Sequence, residues 1–290
     1  MKGIIMAGGL GTRLYPLTKA ISKHLIPIYD KPMIYYPLSI LMKLDITDIL
    51  IICTEKDIES YKELLGDGSH IGISISYMVQ QKPKGIAHAF IIGEDFIGKD
   101  SVALILGDNI FYGNNLLNVL QSSDNDRIEG ATIFAYEVKD PMKYGIVEFD
   151  DNNKVLSIEE KPNFPKSKYA VVGLYFYDNK VVDIAKKLKP SSRLELEITD
   201  INNIYRKDNK LEVKLLQPTI KWFDTGTYKN LLDASTFVEH TQNEHSRYIG
   251  CIEEIAYEKG YISHEQLIKI ANSMRNTEYS KYLESIVREK

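Results

Sequence analysis

The chain has 290 residues, 44% of them hydrophobic, with 36 Lys and Arg against 40 Asp and Glu. That length can bury one large core, or a core with an appendage, and the slight acid excess argues against a nucleic-acid partner. No apolar run nears the roughly 18 residues of a membrane span, the run after Met1 is too short for a secretion signal, and Cys53 and Cys251 make no disulfide framework, so a cytoplasmic protein with no membrane partner is expected.

The first half alternates between strand and helix signals. Residues 3–7 read as a buried strand, 32–44 as a helix with Pro32 at its first position, Asp30 or Lys31 near its cap and a kink or early break at Pro37, and 49–54 as a second buried strand. A helix over 56–65 ended by Gly66, a strand over 74–79, a helix over 86–96 and a strand over 102–106 follow. Short apolar strands separated by helices predict a parallel sheet covered on both faces. After Gly130 the pattern changes to strands at 131–138, 145–149, 155–159 and 171–177, with a turn at 150–153. A helix closes over 233–240, and 242–290 is helical in period. The expected fold is α/β: a Rossmann-like, mixed, mostly parallel sheet flanked by helices, with an inserted antiparallel part. The expected division is a domain over 1–240 and a helical extension over 241–290 packed on it.

Directly after the first strand the chain reads AGGLGTRLYPLTKAISKHLIPIYDKP. A dinucleotide fingerprint fails because its third glycine falls on Leu14, and a P-loop fails because Thr12 and Arg13 follow Gly11. What remains is an amide cradle with cations. Gly8, Gly9 and Gly11 let the backbone of this turn, through Thr12, approach an anion; Arg13 adds a guanidinium fork and Lys23 a point charge. Two cations beside such a cradle suit a triphosphate. The plain alternative is a strand-to-helix turn with a surface arginine.

The run G-x-G-T-R-L-x-P-L-T followed by K-x-x-x-P resembles the signature of the sugar-1-phosphate nucleotidylyltransferases. DKPMIYYPLSILM, and CIEEIAYEKGYI near the end, extend the likeness over nearly the whole chain, closest to the branch that uses dTTP. The resemblance implies that dTTP and glucose 1-phosphate give dTDP-glucose and pyrophosphate, a first step toward dTDP-deoxysugars such as dTDP-rhamnose. It also implies a homotetramer inhibited by a dTDP-sugar. Arg13 and Lys23 become the implied catalytic pair, with Gly8, Gly9, Gly11 and Thr12 under the nucleotide.

Other motifs take their roles from the same likeness. LILGDN sets Asp108 just past a buried strand, where open α/β sheets bind ligands, and WFDTGT sets Asp224 in a glycine turn. Alone, an aspartate like Asp108 at a strand end is more often a turn or helix cap than a metal ligand, and Asp224 reads as the N-cap of the helix that follows; the resemblance makes them the ligands of Mg2+. QQKPKGIAHA supplies Gln80, whose amide can pair with a pyrimidine edge, and Gly85, which opens a helix and lets the base approach; His88 stands where many relatives have Gln. For the sugar phosphate the resemblance implies Asn109, Gly145, Glu160, Lys161, Val172 and Glu197. Leu194 replaces a family glycine, which leaves Glu195 and Glu197 both open as the sugar contact. The same chemistry with UTP or another nucleotide, and a non-catalytic relative that binds nucleotide-sugar, are the competing readings.

Overall fold

The unbroken apolar runs of the first half become strands covered on both faces, as Ile-rich series do between two helical layers. The computed structural model describes residues 1–121 and 129–289. β1 (Lys2–Ala7) leads into a long loop carrying β2 (Pro27–Ile28) and β3 (Lys31–Pro32), then α1 (Tyr35–Lys43), β4 (Asp48–Cys53), α2 (Ile58–Leu65) and β5 (Ser74–Val79). α3 (His88–Ile92), α4 (Glu94–Ile97), β6 (Val102–Leu106), β7 (Asn109–Tyr112) and α5 (Leu116–Leu120) complete the first half. β8 (Ala131–Glu137), β9 (Gly145–Phe149), β10 (Val155–Glu160), β11 (Tyr169–Tyr177), α6 (Val181–Lys187), α7 (Ile198–Lys207), β12 (Leu211–Leu215) and β13 (Lys221–Asp224) follow. The chain ends in α8 (Tyr228–His245), α9 (Ile252–Glu258), α10 (His264–Ser273) and α11 (Glu278–Glu289).

β5, β4, β1 and β6 lie side by side and parallel. β11 joins β6 antiparallel, with β8 on its other edge and β12 parallel to β8. The fold is therefore mixed α/β, with a parallel centre and an antiparallel addition. β11 holds the two parts together. Its ladder to β8 is interrupted between Val171 and Tyr175; below the break Leu174–Tyr177 pair with β6, and above it Ala170 pairs with β9. One edge of a single strand thus serves both parts of one sheet, and the gap between them falls at Val172 and Gly173.

Three expectations are corrected. α1 starts at Tyr35, not at 32, because Pro32 is paired with Pro27 in the β2–β3 ladder. The cap position is then Ile34, and Pro37 falls in the first turn, where a missing N–H costs no hydrogen bond and forces no kink. The helix expected over 86–96 is two helices, α3 and α4, divided at Gly93. A side chain at Gly93 would press on Ile4 and Leu50 of the sheet, at 3.2 Å from each. The turn at 150–153 closes as an Asx turn, with the Asp150 carboxylate accepting from Asn152 and Lys154.

The tail packs on the main core. Ile252, Ile255, Leu267 and Leu283 share one buried cluster with Leu38 and Leu41 of α1 and with Ile5 and Ile51 of the sheet. Each such side chain contributes about 1.5–3 kcal/mol by burial.

Candidate active site

β1 ends under the glycine-rich turn. Gly11 has φ +62, and a side chain there would meet Thr18 at 2.8 Å, so only glycine fits both the turn and the space. The Gly11 carbonyl accepts from the Leu14 N–H (2.8 Å) and the Thr18 hydroxyl (2.7 Å), which fix the loop from below. Gly9 faces open space, with nothing within 4 Å of where its side chain would be. Thr12–Leu14 form a single 3-10 turn that carries the exposed Arg13 over Gly226, where a side chain would lie 2.7 Å from Arg13 Nη2. Lys23 lies beneath the loop, 6% exposed, ion-paired with Asp108.

Antiparallel pairing of β7 with β13 sets Asn109 opposite Asp224 and so brings the two aspartates together from distant parts of the chain. The Asp108 carbonyl accepts from the N–H (3.1 Å) and hydroxyl (2.9 Å) of Thr225, which locks the two turns. Burial works most strongly to raise the Asp108 pKa, but the Lys23 ammonium, His24 and the Asn109 amide at 2.9 Å together outweigh it and hold the carboxyl down at about 2. Burial, and then the charge of Asp108, push Asp224 the other way, above its ordinary value. Two carboxylates crowded into one half-buried place suit a divalent cation, which relieves their repulsion. No group of three metal-ligating side chains occurs among the described residues; the pair itself presents two carboxylates as oxygen donors.

Gln80 follows β5 and is 4% exposed; its Nε2 lies 3.1 Å from His88 Nδ1. Gly85 does not open a helix, since α3 begins at His88. Its φ is +92, and a side chain there would strike the Leu196 carbonyl at 2.4 Å. Glycine is required here to let two loops touch, and they are laced: Leu196 N–H donates to Lys84 O (2.8 Å) and Ala87 N–H to Leu196 O (3.3 Å).

On the sugar side, Gly145 pairs with Glu160 across β9 and β10, and a side chain at Gly145 would crowd the Glu160 carboxylate at 3.1 Å. Thr199 donates to Glu160 Oε2 (2.7 Å). Arg193 grips both acids, with Nη2 3.2 Å from Glu160 Oε1 and 2.7 Å from Glu197 Oε2. Glu197 is buried at the head of α7 and also accepts from the Ser191 hydroxyl (2.6 Å), whereas Glu195 is only half-buried and 3.9 Å from Arg193. Glu197, not Glu195, therefore stands beside Glu160. Leu194, in place of the glycine, keeps a left-handed backbone at φ +61 with its side chain 79% exposed, a conformation that costs a non-glycine residue about 1 kcal/mol. Half-exposed Lys161 reaches within 3.7 Å of Glu160.

Two residues stand differently from their expected roles. Val172 is fully buried in the main core, so only its backbone faces the gap in β11. Asn109 Oδ1 accepts from Gly173 N–H (3.0 Å) and Trp222 Nε1 (2.6 Å) while its Nδ2 donates to Asp108, so this amide braces Asp108 with one proton left for a ligand. Arg193, Thr199 and Trp222 were not singled out by the sequence. Only the R-x-E-x-E spacing before α7 hinted at the first.

A parallel sheet whose strand ends carry an amide cradle, two cations and a carboxylate pair is the frame of an enzyme that handles nucleotide phosphates. The family model described as nucleotidyl transferase matches residues 2–241, and the chain belongs to that family. Glucose-1-phosphate thymidylyltransferase of Neisseria meningitidis is 55% identical over 98% of both chains, and that of Mycolicibacterium smegmatis 51% over 98% of both. A crystal structure from Bacillus anthracis, described as a glucose-1-phosphate thymidylyltransferase in complex with a sucrose, has a TM-score of 0.76 at 45% identity, covering 82% of this chain and 94% of the other. A UDP-glucose pyrophosphorylase complexed with UDP-glucose has a TM-score of 0.73 at 27% identity, covering 83% and 98%.

Proposed function

We propose that the chain is a glucose-1-phosphate thymidylyltransferase: dTTP and glucose 1-phosphate give dTDP-glucose and pyrophosphate. The observation that carries this is the Asp108–Asp224 pair set between Lys23 and Arg13, with Glu160, Arg193 and Glu197 grouped farther along β9–β10 and α7. A sugar-phosphate oxygen attacks the α-phosphorus in line, the bond to the bridging oxygen of the β-phosphate breaks, and pyrophosphate departs with that oxygen. No protein nucleophile is needed; what the reaction needs is positioning of two anions and neutralisation of their charge. The Gly8–Thr12 amides hold the triphosphate, Arg13 meets the charge building on pyrophosphate, Gln80 reads the base, and Glu160 and Glu197 bind sugar hydroxyls. Asp108 and Asp224 would hold Mg2+, which would supply positive charge to offset that of the reacting phosphates.

UTP is a weaker second substrate in this reading, because thymine and uracil differ by one methyl, worth about 1–3 kcal/mol in a pocket. The family likeness also supports a cytoplasmic homotetramer subject to feedback by a dTDP-sugar. Pyrophosphate release, measured across nucleoside triphosphates and several sugar 1-phosphates, tests the assignment. Highest turnover with any pair other than dTTP and glucose 1-phosphate would overturn it.

Lys161→Ala is expected to raise KM for glucose 1-phosphate more than KM for dTTP. Lys161 is half exposed, and the Glu160 carboxylate stays 3.7 Å from its ammonium, so its charge is available to a phosphate. Steady-state kinetics with each substrate varied in turn decides this; equal effects on both would leave Lys161 a solvated surface residue.

A further inference from the structure

Two acceptors stand at the same end of the Gln80 side chain. Its Nε2 lies 3.1 Å from His88 Nδ1 and 3.5 Å from the Gly85 carbonyl oxygen. An amide oxygen turned to that end would face the Gly85 carbonyl, acceptor against acceptor, so the NH2 group belongs there. His88 Nδ1 is then the acceptor, and the ring carries its proton on Nε2. At the other end Gln80 Oε1 turns to the root of the phosphate loop, 3.1 Å from where a Gly8 side chain would be. Gln80 is buried, so these contacts decide how its amide points.

We propose that His88 is a positioning residue that locks the Gln80 carboxamide in the one orientation that reads thymine or uracil and rejects cytosine. The proposal rests on the reading of Gln80 as the group that recognises the base. Thymine and uracil present an imide N–H beside a carbonyl; cytosine presents a bare ring nitrogen beside an amino group. The two edges are complementary to the same carboxamide turned end for end. An amide free to turn by half a rotation serves either edge, with no change of shape to tell them apart. Gln80 held by His88 accepts from the imide N–H with Oε1 and gives its second amide proton, otherwise in the long contact to Gly85, to the carbonyl. Against cytosine, donor meets donor and acceptor meets acceptor.

The lock depends on a neutral ring. An imidazolium has no acceptor at Nδ1; it repels the NH2 end of Gln80 and attracts its oxygen, which is the cytosine-reading orientation. Burial, and then the charge of Lys84 on the adjoining loop, both lower the His88 pKa below its ordinary value. Gln80 and the Gly85 carbonyl are its uncharged neighbours, and among the described residues no carboxylate opposes Lys84. Discrimination is therefore fully present at neutral pH and is lost as acid protonates the ring.

The test is the ratio of kcat/KM for dTTP to that for dCTP, with saturating glucose 1-phosphate, at about pH 8 and about pH 5.5. Ionisations shared by the two triphosphates cancel in the ratio. His88→Ala lowers the ratio at the higher pH by about tenfold or more, through KM rather than kcat. His88→Gln restores it, because a second amide can present an oxygen to Gln80, and makes it independent of pH. The wild-type ratio falls on acidification. A ratio within about threefold of wild type in His88→Ala, while Gln80→Ala collapses it, would overturn the role of His88 and keep Gln80 as base reader. A ratio unmoved by either substitution would overturn both.

Discussion

Asp108→Asn is expected to lower turnover by about 10³-fold or more while the chain still folds. Asparagine keeps the size of the side chain and its carbonyl oxygen but loses the charge. Two consequences follow from the geometry. The pair with Asp224 no longer offers two anionic oxygens to a divalent cation. Lys23, almost fully buried, loses the carboxylate that compensates its ammonium. Breaking a buried pair by removing one partner destabilises by about 3–5 kcal/mol. The loss here is set lower, at about 1–3 kcal/mol, because Asp224 remains nearby and asparagine still accepts a hydrogen bond. Circular dichroism and urea unfolding separate the two effects: a folded variant of reduced stability and no turnover is the expected outcome. Near-normal turnover of this variant, or full wild-type activity in EDTA, would refute the metal assignment of Asp108 and Asp224.

Arg13→Ala is expected to cut kcat by about 10²–10³ while dTTP still binds. The glycine-rich turn is held by its own hydrogen bonds from Leu14 and Thr18, so its amides survive the substitution and keep the triphosphate in its ground state. Arg13 is different. It is exposed, lies over Gly226 and is near enough to Asp224 to oppose the rise in that group's pKa. Its charge counts most when negative charge moves onto the departing pyrophosphate, and an interaction stronger in the transition state is lost from kcat. Arg13→Lys is a poor substitute, lacking the planar fork. Turnover at saturation with calorimetric dTTP affinity decides it. Were kcat to stay within about threefold of wild type while affinity collapsed, Arg13 would be a ground-state binding group.

The parallel centre of the sheet was legible because its strands are unbroken apolar runs set between helical signals. β7 and β13 were not, since four residues with no alternation and a pairing between distant segments leave no local mark. Yet this pairing assembles Asp108 with Asp224. The cradle could be read from Gly8, Gly9, Gly11 and Arg13 because backbone freedom and a charged fork are written in residue type. Gly85 shows the limit: the fold requires glycine there because of a contact with Leu196, a residue far along the chain, which no local pattern announces. Arg193 escaped for a related cause. A lone arginine in a loop looks solvated until the fold brings Glu160 to it from β10. Val172 exposes a further difficulty, since sequence cannot say whether a residue meets a ligand through its side chain or its peptide.

The lacing of Leu196 to Lys84 and Ala87 has a mechanical consequence. It welds the segment that leads to Glu197 onto the segment that carries Gln80 toward α3, so the rear of the cleft is stiff. The front rim is open to solvent instead, since a side chain at Gly9 would meet nothing within 4 Å. Substrates entering past this open rim meet a back plate that keeps the span between the Gln80 and Glu197 ends constant. Hydrogen exchange should find the Leu196 and Ala87 amides opening together and slowly, and Gly9 exchanging fast with or without sugar phosphate. Independent, rapid exchange at Leu196 would mean that the two walls hinge apart.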